Sequence, residues 1–266
     1  MIESDSNALR LAQAHFNRMD FAGTPATATM RAALSKLLVD LDANIGISKF
    51  VRLFPFIGGT AATHALELFE NDITWAGTVT HDANGSRGNG TTGVGTFPLN
   101  CFTEFGNTNG SASAYIGAMT DTGGTSANVF GSYEGASGGS RLYMGNLSNS
   151  MAWGPMMTTG TTEIIPPSSS PGTVEPQFLA GSFTTAKLSE GYKNGVSLGT
   201  STPTGVIPGG ASMALMAAYN NDTATPASYS DAQLEFVHFG TNMTDAEHLA
   251  LYNAVEAFQT TLGRQI

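Results

Sequence analysis

Charge is the scarcest commodity in this chain. Asp, Glu, Lys and Arg make up 12% of its 266 residues, about half the usual quarter. Lys and Arg together number 11 against 21 acidic residues, a net charge of −10. Binding to a phosphate backbone rests on clustered Lys and Arg, so no nucleic-acid partner is expected. Cysteine is nearly absent as well: Cys101 stands alone, which excludes an intrachain disulfide and a cysteine-based zinc cluster. Cys101 itself reads as a small buried hydrophobe. No run of about 20 apolar residues occurs, so membrane insertion is not expected. Met1-Ile2-Glu3-Ser4-Asp5 begins acidic where an export signal would be basic and then apolar.

What fills the space is 32 glycines, with many Ser, Thr and Asn. Short apolar stretches separated by such residues from Gly58 to Asn242 predict an all-β antiparallel sandwich. Strands are expected near Ile73–Thr80, Ser113–Met119, Asn128–Tyr133, Arg141–Leu147, Gln177–Thr184, Glu190–Leu198, Ala211–Tyr219 and Gln233–Gly240. Within Glu190–Leu198 the pair Asn194-Gly195 carries the strongest hairpin signal, because both central residues of a type I′ turn need positive φ. Pro166–Gly172, with three prolines, reads as a loop.

Helices are expected at the two ends. Leu9, Leu11, Ala12, Phe16 and Met19, then Met30, Ala33, Leu34, Leu37, Leu38 and Leu41, recur at helical spacing, with Gly23-Thr24-Pro25 between them and Gly46 as a stop. Thr244-Asp245-Ala246-Glu247 is a capping box opening a helix over 244–262, whose stripe is Leu251, Val255, Phe258 and Leu262. The organisation that follows is a helical attachment or oligomerisation region over 1–57 and a jelly-roll domain over 58–266.

Tyr192-Lys193-Asn194-Gly195, in a Gly- and Thr-rich β chain, resembles the hairpin of laminin G-like and concanavalin A-like jelly rolls. Several segments in order resemble a family of phage virion proteins with such a core. These are Phe50–Thr60 followed by Ala61–Leu68, Trp75–His81 followed by Gly88–Gly93, Gly191–Gly195, Phe239-Gly240, Thr244–Glu247, Leu251-Tyr252 and Phe258–Arg264. The resemblance implies a concanavalin A-like fold in a tail, fibre or capsid-surface component. It also implies other virion proteins or copies of the chain as partners, a virion location after assembly in a bacterial cytoplasm, and contact with a host-surface glycan.

Chemistry-bearing patterns are sparse. Asp231, Gln233 and Glu235 would share one face of a strand, resembling the acidic strand of laminarinase-type glucanases with Gln233 in place of the middle carboxylate. A glycosidase needs two carboxylates about 5 to 9 Å apart, and a solvated face is the simpler reading; no catalytic residue is assigned. His15, His64, His81, His238 and His248 lack metal spacing. Asp82 with Asn84, or Asn220-Asn221-Asp222, would offer oxygen ligands at loop tips, against ordinary turn chemistry; no metal and no cofactor are expected. Gly88-Asn89-Gly90 lacks the strand–loop–helix context of a phosphate cradle and reads as a surface turn. Trp75, Trp153, Tyr115, Tyr133, Tyr143 and Tyr219 read as core aromatics, with a lectin surface as the competitor if several lie coplanar and exposed. Met151, Met156 and Met157 around Trp153 read as an adaptable subunit contact. Three roles follow: a non-enzymatic virion structural protein, a glycan-binding lectin-like module, and a polysaccharide-cleaving jelly roll.

Overall fold

The computed structural model describes residues 4–105, 109–120, 127–135, 140–147, 150–155, 173–174, 177–184, 188–202 and 209–264. Five α-helices occur among them, α1 Ser4–Phe21, α2 Ala28–Asn44, α3 Ala61–His64, α4 Cys101–Glu104 and α5 Asp245–Thr261, with a short 3-10 helix at Ile47–Lys49. The strands are β1 Phe50–Phe54, β2 Thr74–Ala76, β3 Val79–Asp82, β4 Gly85–Gly88, β5 Val94–Pro98, β6 Gly110–Thr120, β7 Ala127–Glu134, β8 Ser140–Leu147 and β9 Ser150–Pro155. They continue with β10 Thr173–Val174, β11 Gln177–Phe183, β12 Ser189–Lys193, β13 Val196–Ser201, β14 Ser212–Leu215, β15 Ala218–Asn220, β16 Thr225–Ala227 and β17 Gln233–Thr241.

Two sheets face each other. One runs β13-β12-β11-β6-β17-β4-β3, with β1 also paired to β17 and β10 to β6; the other runs β16-β15-β7-β14-β5-β2, extended by β8 and β9. Pairing is antiparallel except between β15 and β7. Asn194 and Gly195 have φ of 50° and 75°, so the β12–β13 turn takes the left-handed conformation expected of it. The long expected strands divide. Ile73–Thr80 separates into β2 and β3, which belong to different sheets, and Ala211–Tyr219 breaks at Met216, where φ is 60°.

The central strands β6, β11 and β17 of the first sheet are buried on both sides, while the outer strands β13 and β3 stay partly open. Ala112, Ala114 and Ile116 of β6, Leu179 and Phe183 of β11, and Val237 and Phe239 of β17 pack toward the second sheet. Tyr115, Phe178, Ala180, Tyr192 and Phe236 point the other way, into a core shared with α1, α2 and α5. The molecule therefore has three layers. The helical stretch expected over 1–57 supplies one of them and ends in β1, a strand paired with β17 from Phe50↔Gly240 to Phe54↔Val237.

Caps set the helix ends. Thr27 accepts from the Met30 N–H at 3.2 Å to start α2. Thr244 and Glu247 form the reciprocal box that starts α5, with Thr244 N–H to Glu247 Oε2 at 2.8 Å and Glu247 N–H to Thr244 Oγ1 at 3.3 Å. Where helices meet sheet, the apolar contact is interrupted by a row of serine and histidine. His238 lies between Ser113 Oγ (2.6 Å from Nδ1) and Ser111 Oγ (3.2 Å from Nε2), and His248 Nε2 lies 2.6 Å from Ser182 Oγ. Neither ring nitrogen of His15 has a partner among the described residues.

Burial disfavours the charged imidazolium at these sites, pulling His15 and His248 to about 4 and His238 to about 3. The unfolded chain binds these protons near pH 6.5, so the stabilisation is full above that pH and is lost as pH falls toward 4. Glu67 and Glu235, raised by burial to about 7, act in the opposite sense over pH 4.5 to 7; His64, lowered by burial to about 3, joins the other three histidines and tips the balance toward loss of stability in acid. Urea midpoints measured at pH 7.5 and pH 5 are expected to be lower at pH 5, and His238→Gln should flatten the slope; an unchanged slope in that variant would contradict the assignment. Phe258, 2% exposed in the helix–sheet core, is expected to cost about 3 to 5 kcal/mol on truncation to Ala. A loss within about 0.5 kcal/mol in equilibrium unfolding, the range of surface sites, would show that α5 is peripheral.

Candidate functional site

The structure separates the carboxylates that the strand pattern brought together. Asp231 precedes β17 and is ion-paired with Arg87 at 3.1 Å, while Gln233 donates to the Asn84 carbonyl. Glu235 is 4% exposed and lies under α5, where Gln259 Nε2 donates to its backbone carbonyl at 3.2 Å. A Cβ on Gly117 would lie 2.1 Å from Glu235 Oε1, so the carboxyl occupies space that only glycine leaves. Register shifts at Gln233/Leu234 and Leu234/Phe236 break the alternation on which the shared face depended. The expectation of one acidic face is thereby corrected.

The oxygen-rich loop tips spend their acceptors on their own backbones. Asp82 Oδ1 accepts from Asn84 N–H at 2.7 Å, Asn220 Oδ1 from Asp222 N–H at 3.0 Å, and Asp222 Oδ2 from Gly135 N–H at 2.6 Å. Asn89 Oδ1 accepts from the N–H groups of Thr91, Thr92 and Gly93, which makes Gly88-Asn89-Gly90 an Asx-type turn whose amides face inward. His64, His81 and Ser86 do converge: the two Nδ1 atoms are 3.2 Å apart, and Ser86 Oγ is 2.9 and 3.1 Å from them. Gly59 N–H donates to His64 Nε2 at 3.1 Å, which leaves the proton of the neutral ring on Nδ1 and removes that atom as a metal ligand. No group of three His, Cys, Asp or Glu suited to a metal occurs among the described residues.

Of the aromatics, Tyr115 and Tyr143 are buried. Trp75 packs partly buried against the inter-sheet core, its Nε1 donating to the Ala61 carbonyl, and Tyr219 packs on Val94, Ala214 and Ala217. Met156 and Met157, the side chains of Met151 and Trp153, and the Pro166–Gly172 loop lie outside the described residues.

An open cleft of about 440 Å³ lies where β11 and β12 meet the start of α5. Thr184, Leu188 and Glu190 line one side; Asn242, Thr244 and Asp245 line the other. Thr184 N–H donates to the Leu188 carbonyl at 2.9 Å, and Leu188 is 40% exposed. Tyr192 forms the floor: its ring stacks on His248 at 4.0 Å between centroids, and its hydroxyl donates to Asp245 Oδ1 at 2.8 Å. Burial and the Asp245 carboxylate push the Tyr192 phenol well above its ordinary pKa, so it stays a donor. Glu190 accepts from Ser197 Oγ. Asn242 Oδ1 is buried without a hydrogen-bond partner among the described residues.

Ser182, beside His248 in this floor, is not arranged as a nucleophile. Its hydroxyl is held by Met243, whose N–H donates to Oγ and whose carbonyl accepts from it, each at 3.3 Å. His248 Nδ1 has no partner among the described residues to orient the ring, and burial holds its pKa at about 4, far below a base working near neutrality. What the cleft presents is a set of fixed donors and acceptors beside one apolar side chain. Sequence reasoning met Glu190 in the hairpin and Thr244 in a cap and gave both a structural role. Nothing in the order of residues brings these two segments together; only the pairing of β12 beside β11 and the docking of α5 do so.

No protein-family model and no curated protein matches the chain. Solved structures do match in fold. The binding domain of botulinum neurotoxin DC, solved with rat synaptotagmin II, superposes with a TM-score of 0.58 at 9% identity, over 78% of this chain and 52% of that one. A botulinum neurotoxin type C structure, whose title makes cell entry dependent on two ganglioside molecules, gives 0.53 at 11% identity over 80% and 52%. Trypanosoma rangeli sialidase in complex with sialic acid gives 0.56 at 11% identity over 84% and 38%. The chain spans about half the length of the toxin structures it matches. At these identities the likeness shows the fold, a jelly-roll-like sandwich with flanking helices.

Proposed function

We propose that this chain is a non-enzymatic recognition module whose jelly roll binds a glycan in the cleft between β12 and α5. The observation that carries the reading is the make-up of that cleft. Carboxylates (Glu190, Asp245), a carboxamide (Asn242) and hydroxyls (Thr184, Thr244) sit beside the exposed Leu188. Ligand sites combine an apolar surface with a few fixed polar groups, and a sugar offers the matching pair, a C–H face and vicinal hydroxyls. Jelly-roll neighbours named for ganglioside and sialic acid complexes support the reading, although a fold alone does not carry a function. Display on a virion, with other virion proteins or further copies of the chain as partners, enters through the family resemblance of Phe50–Arg264 and belongs to the same proposal. The cleaving alternative loses its candidates, since Asp231 is tied to Arg87 and Glu235 is buried under α5.

The test is an array of bacterial surface polysaccharides and oligosaccharides probed with the full chain, followed by titration of the strongest ligand. Asn242→Ala and Leu188→Ala are each expected to weaken binding about threefold to tenfold, the worth of one hydrogen bond or one apolar contact, while the melting temperature stays that of the wild type. An array without any bound glycan, or affinity untouched by both changes, defeats the reading. Release of reducing sugar from a bound polysaccharide would favour the enzyme instead.

A further inference from the structure

The helix wall of the cleft carries on past Asp245. Residues spaced i, i+4 and i+7 share one face of a helix, so Leu249 and Tyr252 continue the line that Asp245 begins, over about 10 Å at a rise of about 1.5 Å per residue. Leu249 is 46% exposed. Tyr252 lies half-buried beside it, with its ring against Phe178 at 5.9 Å between centroids. The facing wall is the β12–β13 hairpin. Leu188, Glu190 and Tyr192 alternate onto the side of the sheet that meets the helices, and Ser197, paired across the hairpin with Tyr192, shares that side and donates to Glu190. Hairpin and helix stay in contact as far as the turn: a Cβ on Gly195 would lie 3.0 Å from Leu249 Cδ1 and 3.2 Å from Tyr252 Cβ.

We infer that the binding site continues beyond the cleft as a strip between the hairpin and α5, with Leu249 and Tyr252 as a second sugar platform, and that it takes an oligosaccharide rather than a single sugar. This rests on the glycan reading and deepens it. Two apolar surfaces, Leu188 at one end and Leu249 with Tyr252 at the other, are separated by the carboxylates of Glu190 and Asp245 and the hydroxyl of Ser197. An oligosaccharide repeats that order, since each ring has a C–H face and hydroxyls lie between one ring and the next. An aromatic ring and a leucine suit the C–H face, and the carboxylates accept from the hydroxyls. A second copy of the chain laying an apolar surface along the strip would instead bury the Glu190 and Asp245 carboxylates, which is unfavourable unless donors meet them. The strip is built to hold its shape: the Tyr192 hydroxyl fixes Asp245, Ser197 fixes Glu190, and Phe178 supports the Tyr252 ring.

The experiment shortens an oligosaccharide found by array one unit at a time and ranks the series by competition on the full chain. Affinity is expected to fall roughly tenfold when the unit on Leu249 and Tyr252 is removed. Leu249→Gln, a change at an exposed helical position that should leave the melting temperature unaltered, is expected to abolish most of that step by weakening the long ligand and sparing the shortest, whereas Leu188→Ala weakens both. Equal affinity for long and shortened ligands overturns the inference, as does a length dependence that Leu249→Gln leaves intact. Sedimentation equilibrium of the free protein tests the other occupant: a dimer that Leu249→Gln dissolves would give the platform to a second copy and overturn the inference too. In each of these cases binding of a short ligand leaves the glycan reading standing. An array without any bound glycan overturns the two together.

Discussion

A sheet that must hide both of its faces governs this molecule. Once β6, β11 and β17 carry large apolar groups on each side, one covering layer is not enough. The second sheet seals Val237 and Phe239; the helices seal Tyr115, Phe178 and Phe236. Burial of a large side chain is worth about 1.5 to 3 kcal/mol, so neither cover can be removed without exposing several such groups to water. With a low content of charge and no disulfide, this double burial is the main source of stability available. Fixing α1 is a matter of polar contacts as well: Arg18 donates to the Glu67 carbonyl at 2.6 Å and pairs with Asp72. The Glu67 carboxyl in turn accepts from the N–H groups of Leu53, Phe69 and Asn71.

The same arrangement creates the cleft. Helix α5 lies across the sheet with its start over β11 and β12, and the edge between the helix layer and the hairpin is where side chains of both elements remain partly open. Tyr192 shows how closely floor and core are joined: its ring belongs to the helix–sheet core, its hydroxyl to the cleft. A ligand there would meet the Tyr192 ring and the Asp245 carboxylate, whose positions are set by stacking on His248 and by a hydrogen bond, which lowers the entropy lost on binding.

Local chemistry was readable from residue order, and long-range pairing was not. Asn194-Gly195 and the Thr244–Glu247 cap act within four residues, so their types alone declare them. Asp82-Ala83-Asn84-Gly85 is a turn on the same local terms: Asp82 and Gly85 pair across it, with Gly85 at φ 112°. By contrast, no local signal marks Phe50–Phe54 as a strand of the sheet, because its partner lies near residue 240. In β17 every residue from Leu234 to Gly240 is buried, so no alternation remains to reveal which side chain faces which layer, and two register shifts erase the parity that tied Asp231 to Glu235. The cleft was illegible for the same reason, since its two walls are separated by about fifty residues and meet only in three dimensions.

The position of β17 in the chain has a cost in time. Ser113 and His238, neighbours at the centre of the helix–sheet interface, are 125 residues apart in sequence, and β1 waits still longer for the same strand. Contacts of such separation slow folding, because the entropy of closing the loop is spent before they form. During synthesis, the apolar sides of β6 and β11 emerge well before the strand and helix that cover them. A nascent chain of this kind spends a long interval with strand edges and aromatic surface open, the condition under which chaperone engagement and aggregation compete with completion of the fold.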